Sequence, residues 1–145
     1  MTPDVNVLVA AFRDDHSHHV VARAWLEDAV ASCELGVSLK IIPMVGASFL
    51  RLVTNSRIFV EPALVGDAIG FLDALLSVPG IDMPSLGGEW PIFRELCTSK
   101  GLTANAIPDA WLAAAVIQFN EHLVTFDADF KTLLRPMQLT ILRLA

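Results

Sequence analysis

The segment His122–Phe130, with the sequence HLVTFDADF, places two carboxylates directly after a short apolar run. Leu123 and Val124 are typical of a buried strand, and Asp127 and Asp129 follow that strand one residue apart. A surface turn would explain these acids, and so would a metal site. The position of the strand decides between them, because ligand sites in parallel sheets form beyond the carboxyl ends of the strands.

Short apolar runs alternate with longer amphipathic segments along the whole chain. Strands are predicted at 38–42, 81–83, 122–125 and 138–144, and helices at 18–33, 45–53, 90–97 and 110–119, with a further helix opened by Pro62. Such alternation predicts an α/β protein with a parallel sheet covered by helices on both faces. No repeat, low-complexity stretch or linker interrupts it, so residues 1–145 are predicted to form a single domain.

The composition is unusually apolar, with 54% hydrophobic and 18% charged residues and a mean hydropathy of +0.55. The longest apolar runs, Val7–Phe12 and Ala110–Ile117, are far shorter than the roughly 20 residues of a membrane-spanning helix. No secretory signal is evident either. We therefore expect a cytoplasmic protein without membrane contact, whose apolar surface is buried against another protein or a second copy.

The net charge and the number of cysteines bear on the partners and the cellular compartment of the protein. A net charge of −6 and a pI near 5.0 argue against broad, non-specific nucleic-acid binding, although an acidic cation site would itself contribute to this balance. Cys33 and Cys97 are the only cysteines, and two in such a chain predict free thiols in a reducing compartment.

Three acids share a position at the ends of predicted elements. Asp4 comes just before an apolar run, Asp109 lies in the first turn of an alanine-rich helix, and Asp127 follows the strand at 122–125. The helix dipole alone would explain Asp109. Three carboxylates at one edge of one sheet, however, would repel one another without a cation. Mg²⁺ or Mn²⁺ suits such oxygen ligands, so the pattern predicts a metal site able to activate water for phosphodiester cleavage.

Four blocks carry a family resemblance, in this order: DVNVL at Asp4–Leu8, FLRLVTNSRIF at Phe49–Phe59, IPDAWLAA at Ile107–Ala114 and LVTFDADF at Leu123–Phe130. Together they resemble the PIN-domain ribonucleases and, more closely, the VapC-type toxins of bacterial type II toxin–antitoxin pairs. The second block is similar to that of an actinobacterial subgroup. The resemblance implies a PIN-like α/β/α sandwich with a central, mostly parallel sheet of four to five strands. It also implies that VLVAAF is helical, in a helix that begins near Asn6, although periodicity alone would predict a strand.

The resemblance assigns a role to each acid. Asp4, Asp109 and Asp127 match the family's catalytic and metal-binding carboxylates. Asp129 would be an outer or alternative ligand of the same Mg²⁺ or Mn²⁺ ion.

Other positions depart from the family pattern or support it. Asn6 and Thr125 would support the acids by hydrogen bonding. Ser48 stands where many members carry a Glu, which implies one well-held ion. Arg51 and Arg57 are the candidates for phosphate contacts, although surface ion pairing would explain both.

The function implied is that of a metal-dependent endoribonuclease toxin that cleaves RNA and is inhibited by a cognate antitoxin. The resemblance also implies a homodimer. Here the helices after Pro43 and Pro62 are expected to form the dimer interface and to receive the antitoxin. Ser48 leaves open a catalytically inactive, PIN-like binding module. A receiver-type phosphoryl-transfer domain would need a lone Asp after the third strand and a Lys after the fifth, and neither is evident.

Two further features are predicted to be structural. The segment DDHSHH at 14–19 is typical of a polar helix start rather than a zinc site. Trp25, Trp90 and Trp111 are expected to be core or interface residues, not base-stacking platforms.

Overall fold

The computed structural model describes residues 1–144, in which five short strands and six helices are found. The strands are β1 (Thr2–Pro3), β2 (Leu39–Lys40), β3 (Ile81–Asp82), β4 (Leu123–Thr125) and β5 (Leu139–Ile141). The helices are α1 (Val5–Phe12), α2 (His19–Cys33), α3 (Pro43–Val53), α4 (Val65–Leu76), α5 (Trp90–Lys100) and α6 (Ala106–Gln118). Two 3₁₀ turns, Ala128–Thr132 and Pro136–Gln138, connect β4 to β5.

Every strand pair is parallel. β4 lies between β1 and β5 in a three-stranded sheet, and β2 pairs with β3 in a second sheet. The two sheets adjoin, because the N–H of Lys40 donates to the carbonyl of Met1 across 2.9 Å and the hydroxyl of Thr2 donates to the carbonyl of Lys40. The predicted α/β architecture is confirmed, with its five strands divided between two sheets and flanked by six helices.

The run VLVAAF is helical, as the resemblance implied. Asp4 caps α1, because its Oδ1 accepts the N–H of Val5 at 2.7 Å, and the helix therefore begins at Val5. Five consecutive residues of α1, from Val7 to Ala11, are buried. A helix buried on all sides shows no amphipathic period, which is why periodicity alone would predict a strand here.

The prediction that Pro62 opens a helix is wrong. Pro62 does not open α4, which begins at Val65. The intervening backbone is held elsewhere, because the N–H of Ala63 donates to the carbonyl of Val53, at the end of α3, across 2.8 Å. Pro62 therefore belongs to the exposed connection between α3 and α4.

Helix α6 carries much of the core. Its residues from Leu112 to Val116 are buried, and the small alanines among them allow the helix to lie close to its neighbours. α6 begins at Ala106, before the predicted start, and Pro108 lies in its first turn, where the missing N–H has no intrahelical acceptor. Cys33 and Cys97 are free thiols, as predicted. Within residues 1–144, no helix has the length and hydropathy needed to cross a membrane.

Candidate active site

Asp4 lies between β1 and α1 and is only 6% exposed. Its Oδ1 accepts the N–H of Val5, and its Oδ2 accepts the hydroxyl of Thr125 at 2.6 Å. Burial raises the pKa of Asp4 above 3.8 against the opposing effect of these two hydrogen bonds, and the nearby Asp127 raises it further. The side chain is thus fixed in orientation and destabilised in its charged form.

The hydroxyl of Thr125, at the end of β4, is fully buried and joins three parts of the site. It donates its one proton to Asp4, and it accepts the side-chain N–H of Asn6 at 3.1 Å and the N–H of Asp127 at 3.0 Å. These contacts use the full hydrogen-bonding capacity of a hydroxyl group. Asn6 also accepts the N–H of Phe126 at 3.2 Å. The predicted supporting roles of Asn6 and Thr125 are therefore consistent with the geometry.

The two acids of the opening segment differ in position. Asp127 is half-buried, and its Oδ1 accepts the N–H of Asp129 at 2.9 Å, so that it caps the 3₁₀ turn Ala128–Thr132. Asp129 is exposed in the first turn of that segment. The cap fixes Asp127 while leaving its second oxygen available to a ligand.

Asp109, in the first turn of α6, connects the other acids. It lines a cavity of about 270 Å³ with Asp4 and Ser48, and a second cavity of about 330 Å³ with Asp129. Burial, followed by the charges of Asp4, Asp127 and Asp129, raises the pKa of Asp109 to about 6. These four acids, which we call the carboxylate cluster, therefore act on one another electrostatically.

The carboxylate cluster has no cationic partner among the residues that the structure describes. The four ion pairs in residues 1–144 are Met1–Glu121, Arg13–Asp15, Arg23–Glu27 and Lys40–Asp82. Arg51 and Arg57 are exposed and line neither cavity of the cluster, so their contact with phosphate stays a prediction. In the same residues, no three His, Cys, Asp or Glu side chains converge closely enough to form a metal-binding group. The predicted ligand set therefore also stays a prediction.

The polar segment at 14–19 makes local contacts. The N–H of His18 donates to Nδ1 of His16 at 3.0 Å, and Nδ1 of His19 lies 2.8 Å from the carbonyl of Ala10. Asp15 pairs with Arg13. These contacts agree with the predicted structural role.

Glu89 is the functional candidate that sequence reasoning missed. It is only 3% exposed, and its carboxylate accepts the indole N–H of Trp111 at 2.8 Å and the N–H of Gly87 at 2.7 Å. The available signal was the pair Gly87-Gly88 directly before it, since Gly87 adopts a φ of 134° that favours glycine.

A parallel sheet with acids beyond β1 and β4 and in the first turn of α6 defines a protein of the PIN-domain class. The family model of the PIN domain matches residues 1–134. The chain belongs to the PIN-domain family and, within it, to the group of the VapC ribonucleases.

Two relatives from Mycobacterium tuberculosis show this membership. Ribonuclease VapC25 is 36% identical over 129 residues, which cover 88% of each chain. Ribonuclease VapC43 is 38% identical over 130 residues, which cover 88% of this chain and 85% of the relative. The resemblance to VapC-type proteins found in the sequence is confirmed.

Solved structures show the same fold at lower identity. VapBC2 from Rickettsia felis, bound to a DNA fragment from its promoter, matches with a TM-score of 0.65 and 19% identity, covering 97% of this chain and 96% of that one. VapC20 of M. tuberculosis, described as a toxin that cleaves the sarcin–ricin loop, matches with a TM-score of 0.62 and 16% identity. That match covers 90% of this chain and 92% of VapC20.

Proposed function

We propose that the protein is a divalent-metal-dependent endoribonuclease and the toxin of a toxin–antitoxin pair. The observation that carries this proposal is the uncompensated carboxylate cluster, in which burial and three neighbouring acids raise the pKa of Asp109 to about 6. A bound cation would offset both the burial of the Asp109 charge and its repulsion by the neighbouring acids, which together cause this shift. The relatives that are named ribonucleases support RNA as the substrate.

The donor set fits Mg²⁺ or Mn²⁺, because it consists of carboxylate oxygens. Asp4, Asp109 and Asp127 would hold the ion, with Asp129 as an outer ligand. When bound, such an ion supplies Lewis acidity toward the phosphate and makes the attacking water more acidic. Ser48 offers only a neutral hydroxyl at the cavity that Asp4 and Asp109 line, which favours one ion over two.

The chain's own residues would orient the reactants. Thr125 keeps one oxygen of Asp4 in a fixed direction, and Asn6 secures Thr125 and the backbone of Phe126. Because these contacts are formed before substrate arrives, little reorganisation would be required during cleavage. The buried walls beside Asp4 would also limit the access of water to the acids.

Brief induction in a bacterial host, followed by sequencing of RNA ends, tests the proposed function. We expect growth arrest and new RNA ends with the wild type, and neither with Asp4→Asn, which keeps the size of the side chain but loses its charge. Immunoblots should show equal amounts of the two proteins. RNA ends that are the same for both would contradict the assignment of this site.

A second function, a binding module that cleaves nothing, is favoured by Ser48 in place of the family's Glu. The structure places Ser48 in the cavity lined by Asp4 and Asp109, so the missing charge lies at the site itself. Calorimetric titration of the wild type with Mn²⁺ separates the two functions. Heat of binding that is absent from Asp4→Asn supports the enzyme, and no binding at millimolar metal supports the module.

Exposed apolar residues near the start of α4 support a protein partner. Leu64 is 74% exposed, Val65 56% and Ile69 41%. We propose that this surface forms a homodimer, because exposed apolar surface is commonly buried against another chain. We also propose that it receives an antitoxin; the similarity to VapBC2 supports an antitoxin as partner.

Light scattering tests the homodimer. We expect a mass of twice 15.7 kDa for the wild type and of one chain for Ile69→Asp, because a charge buried in an apolar interface is costly. Leu35→Asp, which places the same charge at an exposed residue after α2, is the matched control and should remain dimeric. A monomeric wild type would contradict the dimer.

A further inference from the structure

We propose that Trp111 stacks against an unpaired base of the RNA substrate and that Glu89 positions the indole ring for this contact. The inference rests on the proposed function, and it names the contact that would seat RNA beside the carboxylate cluster. Trp111 would be a substrate-binding residue, and Glu89 a positioning residue that acts through it.

The ring of Trp111 contributes to two cavities. One is the cavity of about 270 Å³ that Asp4 and Asp109 also line. The other, of about 410 Å³, is lined by Leu86, Gly87, Glu89, Trp90, Phe93 and Trp111. A base held against this indole would therefore lie next to the acids proposed to carry out the chemistry.

Glu89 holds the indole in one orientation although Trp111 is 39% exposed. Burial alone would raise the pKa of Glu89, but the hydrogen bonds from Trp111 and Gly87 lower it, so the carboxylate remains ionised at neutral pH. A charged acceptor makes the bond to the indole N–H stronger than a neutral one would. The ring is thereby arranged before a ligand binds, which reduces the entropy lost on binding.

Neighbouring aromatic rings extend the surface. Phe93 lies 6.4 Å from Trp111 and 5.6 Å from Trp90, measured between ring centroids. Trp90 is 61% exposed, so neither it nor Trp111 is a core residue. The three rings could accommodate more than one base.

The charge distribution favours a base over other contacts. Affinity for nucleic acids usually comes from Lys and Arg bound to phosphates, but no such residue lines either cavity that Trp111 shares. With a net charge of −6 and no Lys or Arg at these cavities, a contact with RNA here would be made to an uncharged part of the nucleotide. Stacking on an aromatic ring supplies one and tolerates any base. An arginine of a protein partner would suit Glu89 less well, because the carboxylate is only 3% exposed and both of its oxygens already face N–H donors of this chain.

Fluorescence anisotropy with a labelled single-stranded RNA dodecamer, in EDTA to prevent cleavage, tests the proposal. We expect Trp111→Ala to weaken binding roughly 5- to 100-fold, as loss of one stacked base does. Trp111→Phe keeps an aromatic face and should bind within about 5-fold of the wild type, and binding of a blunt RNA duplex should not depend on Trp111. Trp25→Phe, on α2, is the matched tryptophan control. Circular dichroism checks that every variant is folded.

Glu89 variants test the positioning role. Glu89→Gln keeps an oxygen acceptor for the indole and should restore most of the RNA binding that Glu89→Leu loses. With Mn²⁺, Trp111→Ala and Glu89→Leu should raise KM more than they lower kcat, which a general loss of folding would not do.

Three results are decisive. Single-stranded RNA binding that is unchanged in Trp111→Ala would overturn the inference. So would an arginine-containing peptide that binds more tightly than RNA and is released by Glu89→Gln, because the cavity would then belong to a protein partner. A wild type that binds RNA through Trp111 but cleaves none supports this contact and contradicts the proposed function.

Discussion

Asp109→Asn is expected to raise the thermal stability of the metal-free protein at pH 7 and to reduce RNA cleavage on the order of 10³-fold. The gain in stability follows from removal of a half-buried charge that Asp4, Asp127 and Asp129 repel. The loss of activity follows from removal of a carboxylate proposed to hold the metal. Opposite changes of stability and activity are the trade-off expected where an active site holds destabilising charges.

The raised pKa of Asp109 determines whether the protein gains or loses stability as the pH rises. The pKa of Asp109 is about 6 in the folded chain and near 3.8 when unperturbed. Between these values the folded state binds more protons than the unfolded state, so the stability contributed by Asp109 falls as the pH rises through this window. Above the window the loss is complete. Asp109→Asn should flatten the profile, and the remaining slope should come partly from Asp4, whose pKa is also raised.

Scanning calorimetry in EDTA at intervals from about pH 4 to pH 8 measures this profile. Asp67→Asn is the matched control, because it neutralises another first-turn acid, on α4, where loss of a favourable helix-dipole contact should bring no gain. Added Mn²⁺ should stabilise the wild type by mass action and leave Asp109→Asn unchanged. If Asp109→Asn were no more stable than the wild type at pH 7, the acids would not repel one another as proposed.

The positions of two of the three main acids relative to helices and strands could be predicted because they follow from local rules. Asp109 lies in a first helical turn, and Asp127 follows a buried strand, as the pattern predicted. Asp4 was noted only as an acid before an apolar run, and its proposed role came from the family resemblance, because the strand before it is only two residues long. Helix starts and strand ends are determined largely by residues that are adjacent in the chain, so they can be predicted from the sequence.

The rest depended on contacts between distant residues. The error at Pro62 arose because Ala63 is bound to the end of α3 and not to a helix of its own. The burial of Glu89 depends on Trp111, 22 residues away, and an isolated Glu is ordinarily expected at the surface. The division of the five strands into two sheets likewise depends on which strands form backbone hydrogen bonds with one another. None of these has a local pattern from which it could be predicted.

Thr125→Val is expected to lower the free energy of unfolding by about 3 kcal/mol and to reduce RNA cleavage at least about 100-fold. Valine has nearly the shape of threonine, so the effect comes from the hydroxyl. Its loss leaves three groups of the buried site without their partner: the Oδ2 of Asp4, the side-chain N–H of Asn6 and the N–H of Asp127. Each unsatisfied buried group costs about 1–3 kcal/mol, and partial relaxation should reduce their sum.

Thr125→Ser separates the hydroxyl from the methyl group, because it keeps the former and loses the latter at a cost of about 1 kcal/mol. Urea unfolding of the two variants measures the difference, and a Ser variant less stable than the Val variant would contradict the assigned role. A double-mutant cycle with Asp4→Asn then isolates the contact between Asp4 and Thr125. We expect a coupling of about 1–3 kcal/mol, because that hydrogen bond involves a charged and buried acceptor. Since one hydroxyl fixes both Asp4 and the backbone of Asp127, the same contact that stabilises the end of β4 would also set the direction of two proposed metal ligands.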